Sequence, residues 1–331
     1  MKAVARTQRF RESGHGQNIG GILGVNLSGE CTRSSAHDNI RRIYFVVTDG
    51  AANLGFFLSP LASIRVSPLF LELASLVPPG FLGACSKETA FAIIDHYYAA
   101  GGNVIDSANY YQNGETEIWL GEWLTSRNNR NDLVLSTKYS SNMMLNTAEQ
   151  DDNTFLSNYG GNNPKSLKLS IEKSLKLLGM TYIDMIYVHW WDFTTSPAEL
   201  MRSLNRLVAD GTCIAFACHH GLSPFIIYTG RWNVADRDME REILDMCAAE
   251  DMAIAPYEVL DCDASRSANG ALSSCSFEVR SFGGNFGFHR AETKNTPPTS
   301  IALAYVLQKQ AYVFPLVGGR KVEYLQANLK L

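Results

Sequence analysis

No Cys-x-x-Cys pair occurs among the seven cysteines of this 331-residue chain, which stand at positions 31, 85, 213, 218, 247, 262 and 275. Scattered thiols in odd number argue against a disulfide framework and a zinc site, and they fit a reducing compartment. The chain also lacks an uninterrupted membrane-length apolar run: the longest such stretch near the N-terminus, residues 43 to 74, is broken by Asp49, Arg65 and Glu72. A membrane-spanning helix is therefore not expected. Excess positive charge is missing too, and a net charge of −4 gives no electrostatic ground for a nucleic-acid partner. Gly14-x-Gly16-x-x-x-Gly20 has no apolar strand before it and no clear helix after it, so it does not read as a dinucleotide fingerprint. Residues 1 to 11 carry Lys2, Arg6, Arg9 and Arg11 without an acid, a weak likeness to an organellar presequence, but no uncharged apolar segment follows. A soluble, cytoplasmic protein is expected.

What is present is apolar content of 46%, enough for a large core. Residues 1–52 are polar and Gly/Ser/Arg-rich and read as a poorly structured extension; residues 53–331 read as the folded unit. There, strand-like runs alternate with helix-like ones. Strands are expected at 66–74, 103–108, 132–138, 183–190, 213–218, 225–229, 252–257 and 312–317. Helices are expected from Ser86, at 115–127, 164–178, 197–209, 236–249 and 298–309, and from 321. Eight strands with short βα spacings predict an α/β fold, a closed (β/α)8 TIM barrel. One crossover helix is missing from that pattern. Only six residues, 219 to 224, separate the fifth strand from the sixth, whereas a parallel crossover needs about a dozen. Two long connections, 139–163 and 258–297, leave from the strand ends and suit lids over a site.

Three of these strands end on residues suited to acid-base work on a carbonyl: Asp106, Lys138 and His189, with Tyr111 five residues beyond the first. Each alone has an ordinary structural explanation as turn cap, packing or solvated strand end. Barrel strand ends converge, however, so together they predict one site. A Lys ammonium beside Tyr111 stabilises its phenolate and is expected to lower its pKa, with Asp106 holding Lys138 in place. His189 would orient the carbonyl oxygen. The set requires neither a metal nor a covalent nucleophile, and no suitable pair of strand-end carboxylates supports a glycosidase.

At these residues the chain resembles the aldo-keto reductases, through Gly101-Gly102-Asn-Val-Ile-Asp106-Ser-Ala-Asn-Tyr-Tyr111, Ser136-Thr-Lys138 and Tyr182-Ile-Asp184-Met-Ile-Tyr-Val-His189-Trp-Trp-Asp192. It is most similar to the fungal aryl-alcohol dehydrogenase and norsolorinic acid reductase branch, also through Gly230-Arg-Trp-Asn-Val234 and Val317-Gly-Gly-Arg320-Lys321. The resemblance implies NADP(H)-dependent reduction of an aldehyde or ketone, aromatic or polyketide-like, with Tyr111 as proton donor supported by Asp106 and Lys138. It further implies that Tyr257 stacks on the nicotinamide, with Asp106 also beside the cofactor. By the same likeness Gly318, Gly319, Arg320 and Lys321 take its 2′-phosphate, and Asn328 its adenine. Tyr110, Trp190 and Trp191 are expected to line the substrate pocket.

The chain departs from the family pattern at several cofactor positions. Cys218 and His219 stand where the family has a Ser and an Asn or Asp holding the carboxamide, and Thr229 replaces a Gln. Asp261-Cys262-Asp263 replaces a glycine-rich turn, and Glu72 replaces a glycine on the first strand. An impaired reductase-like binding or regulatory module is therefore the alternative. Nothing in the sequence decides the oligomeric state.

Overall fold

The computed structural model describes residues 56–74, 85–145, 155–215, 225–260 and 296–329. The expected extension over 1–52 and the short connection at 219–224 lie outside them. The description begins with an antiparallel hairpin, β1 (Phe56–Ser59) and β2 (Ala62–Val66), turning through Pro60 and Leu61. Eight parallel strands follow: β3 (Phe70–Glu72), β4 (Val104–Asp106), β5 (Val134–Tyr139), β6 (Ile183–Val188), β7 (Cys213–Ala215), β8 (Ile227–Arg231), β9 (Ala253–Tyr257) and β10 (Leu316–Val317). Six of them form one sheet in the order β10-β3-β4-β5-β6-β7, and β8 pairs with β9. A parallel bridge from Ile254 to Val313 ties β9 to the approach of β10. Between β7 and β8 the described residues show no pairing.

Helices α1 (Lys87–Ala99), α2 (Glu115–Arg127), α3 (Pro164–Leu178), α4 (Pro197–Ala209), α5 (Ile243–Ala249), α6 (Pro298–Lys309) and α7 (Val322–Asn328) return the chain between strands. Their starts follow from local chemistry. Ser86 accepts Thr89 N–H at 3.2 Å, Asn163 accepts Ser166 N–H at 2.9 Å, and Ser196 accepts Glu199 N–H at 3.3 Å. Each side-chain oxygen satisfies a donor that the first helical turn leaves open. Pro164 and Pro197 occupy the first helical position, where no N–H is needed. Gly121 lets α2 and α3 meet, since a Cβ there would lie 2.7 Å from Leu178 O.

Alternation along the strands sorts the core into an inside and an outside. Phe70, Val104, Val134, Met185, Ala253 and Leu316 form one cluster inside the barrel, joined by Leu58, Ala62 and Val66 of the hairpin. Phe70 and Phe314 stack there at 5.2 Å. The intervening Leu71, Ile105, Leu135 and Ile254 pack outward against the helices. The hairpin thus closes the N-terminal end of the barrel, opposite the strand ends that carry the polar residues.

Three expected elements are corrected. The strand expected over 66–74 is the end of β2 plus a short β3, because Ser67 turns the chain: its hydroxyl donates to Leu69 O at 2.9 Å. The helix expected over 236–249 is a 3-10 turn at Asp238–Glu240 and a seven-residue α5, broken at Glu242, whose φ of −149° is not helical. The strand expected over 312–317 pairs only at Val313 and over Leu316–Val317, since Pro315 between them has no N–H to give.

Candidate active site

Lys138 organises the strand ends. It leaves β5 on the inner face, two residues beyond Ser136, and is 4% exposed. Its three ammonium protons have three acceptors: the Asp106 carboxylate, Ser107 O at 2.8 Å and Tyr111 Oη at 3.2 Å. Asp106, fully buried at the end of β4, spends its other carboxylate oxygen on Ser136 Oγ at 2.6 Å. A buried ion pair costs desolvation unless its remaining valences are filled, and here they are. Tyr111 begins a 3-10 turn after β4, with its N–H on Ala108 O at 3.2 Å. Gln112 and Asn113 follow at φ 48° and 58°, a left-handed pair that folds Tyr111 back towards Lys138.

Tyr111 Oη has a second carboxylate neighbour. It donates to Glu72 Oε1 at 3.2 Å, across the parallel register that pairs Glu72 with Asp106. Burial first, then the charges of Glu72 and Asp106, push the Tyr111 phenol well above its ordinary pKa. This corrects the expectation that Lys138 lowers it: desolvation and two acids outweigh one cation. Burial also raises Glu72, with Lys138 opposing and Asp106 adding.

His189 follows β6, its N–H on Tyr139 O at 3.0 Å. Its ring lies 6.1 Å from that of Tyr111 and 5.3 Å from that of Tyr110. Burial, helped by the Lys138 charge, lowers its pKa to about 4, so the imidazole is neutral near pH 7. Its Nδ1 is buried with no hydrogen-bond partner among the described residues. All four strand-end residues singled out in the sequence are thus within one cluster.

At the mouth, Tyr110 and Trp190 are 42% and 48% exposed, large apolar surfaces facing outwards beside His189. Trp190 Nε1 donates to Ser141 Oγ at 3.2 Å. Trp191 is placed otherwise than expected: it packs against the outer cluster of Tyr139, Leu167 and Met201 rather than at the mouth.

The residues expected to hold a cofactor are scattered around the remaining strand ends. Tyr257, at the end of β9, is 37% exposed. Thr229 donates its hydroxyl to Ala255 O at 2.8 Å, so its proton is committed within the barrel. Gly318, Gly319 and Arg320 are half-buried after β10, Lys321 is exposed, and Asn328 is buried on α7. Neither Arg320 nor Lys321 has a carboxylate partner among the described residues, and the Arg320 charge reaches Cys85. Cys218, His219 and the turn at 261–263 lie outside the described residues.

Two site residues escaped sequence reasoning. Ser136, two residues before Lys138 on the same strand, must share its face, a signal that the strand period carries. Glu72 departs from the family pattern in the sequence, and only the β3–β4 register makes it a neighbour of Tyr111.

A sequence model described as the aldo/keto reductase family matches residues 79–331. Norsolorinic acid reductase A of Aspergillus parasiticus is 45% identical over 300 residues, covering 82% of this chain and 75% of that protein. An aryl-alcohol dehydrogenase of Pestalotiopsis microspora is 40% identical, covering 82% and 76%. A solved glycerol dehydrogenase of Gluconobacter oxydans superposes with a TM-score of 0.65 at 20% identity, over 82% of this chain and 88% of that one. That likeness shows the fold alone, a TIM barrel. Fold, family model and curated relatives agree: the chain belongs to the aldo/keto reductase family and is an oxidoreductase.

Proposed function

We propose that this protein reduces an aldehyde or ketone with NADPH, with Tyr111 as proton donor and His189 as the group that orients the carbonyl oxygen. The observation that carries the reading is the three-way contact of Lys138 with Asp106, Ser107 O and Tyr111 Oη. It fixes the phenol at the strand ends beside a neutral imidazole whose Nδ1 has no hydrogen-bond partner among the described residues. The residues present fit a nicotinamide dinucleotide. Tyr257 offers a part-exposed ring, Arg320 and Lys321 offer cations without a carboxylate partner among the described residues for the 2′-phosphate, and buried Asn328 offers an amide for adenine. When bound, the reduced nicotinamide supplies a hydride to the carbonyl carbon. Tyr111 then gives its proton to the carbonyl oxygen, while Lys138 and Asp106 hold it in position. Exposed Tyr110 and Trp190 favour an aromatic substrate, in keeping with relatives named norsolorinic acid reductase and aryl-alcohol dehydrogenase.

A weakened variant of this function is favoured by one observation, the commitment of the Thr229 proton to Ala255 O. In that reading the barrel is a binding or regulatory module. No helix among the described residues is long and apolar enough to cross a membrane. Buried free thiols at Cys85, Cys213 and Cys247 support a cytoplasmic location, and residues 53–331 are taken as the barrel unit. NADPH titration of the purified protein, followed by intrinsic fluorescence, tests the proposal. Quenching together with consumption of NADPH on adding an aromatic aldehyde or ketone is expected; no quenching would overturn it in favour of the module.

A further inference from the structure

We propose that Glu72 is the proton store of this site, returning to Tyr111 the proton that Tyr111 gives to the substrate. This rests on the reading of Tyr111 as proton donor. Glu72 ends β3 opposite Asp106 on β4, so both carboxylates face the barrel interior. Tyr111 Oη stands between two partners, accepting from Lys138 Nζ at 3.2 Å and facing Glu72 Oε1 at 3.2 Å. Asp106 cannot serve, because its two oxygens are held by Lys138 and Ser136.

The charges around Glu72 set its two states. Asp106 on β4 and Lys138 on β5 neutralise each other. Beyond β9, Glu258 is paired with Arg231 at 2.7 Å, and Tyr257 and Tyr110 are phenols. Glu72 therefore decides the net charge of the cluster. When ionised, it accepts the Tyr111 hydroxyl proton and holds it away from a substrate. A phenolate formed beside it would add a second uncompensated negative charge in a buried space. When protonated, it can donate to Tyr111 Oη and free the phenol proton.

The step balances. The Tyr111 O–H bond breaks as an O–H bond forms on the carbonyl oxygen. The Glu72 carboxyl O–H bond then breaks as a new one forms on Tyr111 Oη, leaving a Glu72 carboxylate that regains a proton from water. Burial, which raises Glu72 towards the protonated form, is consistent with this cycle.

The first test uses the protein without cofactor. Phenolate absorbance is titrated against pH, and Tyr111 is read as the difference between each background and the same background carrying Tyr111→Phe. In Glu72→Gln, Tyr111 should ionise at least about one pH unit lower than in the wild type. The second test is the pH profile of NADPH-dependent reduction. Wild-type kcat should fall on the alkaline side by about ten-fold per pH unit. In Glu72→Gln that limb should move to the pH at which its own Tyr111 ionises in the first test, and formate should restore turnover to Glu72→Ala. An unchanged phenolate titration overturns the inference whatever the turnover assay shows. So do an alkaline limb that stays at its wild-type pH in Glu72→Gln and a Glu72→Ala enzyme indifferent to formate. Absence of carbonyl reduction in the wild type instead strikes the proposed function, which the cofactor-free titration does not depend on. Should Glu72→Gln not fold, Glu72→Ala carries both readouts.

Discussion

Asn162 and Asp192 hold each other by two hydrogen bonds of 2.7 Å, the backbone N–H of each donating to the side-chain oxygen of the other. Asp192 also accepts Thr194 N–H at 2.8 Å and Thr195 N–H at 2.9 Å. The Asn162 amide donates to Ser140 Oγ at 2.7 Å and Trp190 O at 3.0 Å. The stretch before α3 is thereby joined to the stretch after β6, and the backbone of the mouth residue Trp190 is pinned.

Asn162→Ala should therefore cost about 2–4 kcal/mol of stability, since it strands the Asp192 N–H, Ser140 Oγ and Trp190 O at once. Denaturant unfolding reads this, and KM for the carbonyl should rise more than kcat falls. Gly161→Ala should act in the same direction, because Gly161 has φ 78° and a Cβ there would lie 2.8 Å from Asp192 Oδ2. Wild-type stability in both variants would show that the clasp is redundant.

Tyr111→Phe removes the hydroxyl between Lys138 and Glu72. Loss of a general acid is expected to lower kcat by at least about 100-fold while leaving NADPH affinity nearly unchanged. Turnover and fluorescence titration measure the two quantities separately. Wild-type turnover would remove Tyr111 from the mechanism.

Arg320 and Lys321 bear on cofactor choice. Charge-assisted contacts of about 1.5–3 kcal/mol each predict at least a ten-fold preference for NADPH over NADH. Dissociation constants for both cofactors, in the wild type and in Arg320→Ala, check it. Equal affinities in the wild type would place the 2′-phosphate elsewhere.

Glu117 on α2 is buried, with Oε1 accepting Thr137 Oγ1 at 2.7 Å and no hydrogen-bond partner for Oε2 among the described residues. Burial, against the hydrogen bond from Thr137, raises its pKa to about 7 from an ordinary 4.5. Because the folded state keeps this proton longer than the unfolded one, its contribution is fully present below 4.5 and lost as pH rises through 7. The loss is about 3 kcal/mol. Glu117→Gln should flatten the stability curve between pH 4.5 and 7 in urea denaturation; an unchanged slope would reject the assignment.

The parts of the fold set by neighbours in sequence were legible. Ser86, Asn163-Pro164 and Ser196-Pro197 mark helix starts whose capping bonds the structure contains. Asp106, Lys138 and His189 were legible because a parallel barrel brings strand ends together whatever lies between. The hairpin was not, since Phe56 to Val66 reads as part of one apolar run and only its burial inside the barrel separates it. Glu240 shows the other limit. Its carboxylate accepts from Trp232 at 3.1 Å and Lys309 at 3.1 Å, and from the Tyr305 hydroxyl, so partners 8 and 69 residues away help to set a segment that its own sequence marked as helix. The Glu72–Tyr111 contact spans 39 positions and needed the β3–β4 register.

The hairpin that packs Leu58, Ala62 and Val66 under the strands gives this barrel a floor. Lys138, Asp106, Tyr111 and Glu72 therefore sit above that floor, at the strand ends. Among the described residues, Phe70, Val104, Val134 and Met185 fill the barrel between that floor and the site. A reactant seated against this packing has protein beneath it and must be met from the strand-end side, where departure as well as chemistry can set the pace of turnover.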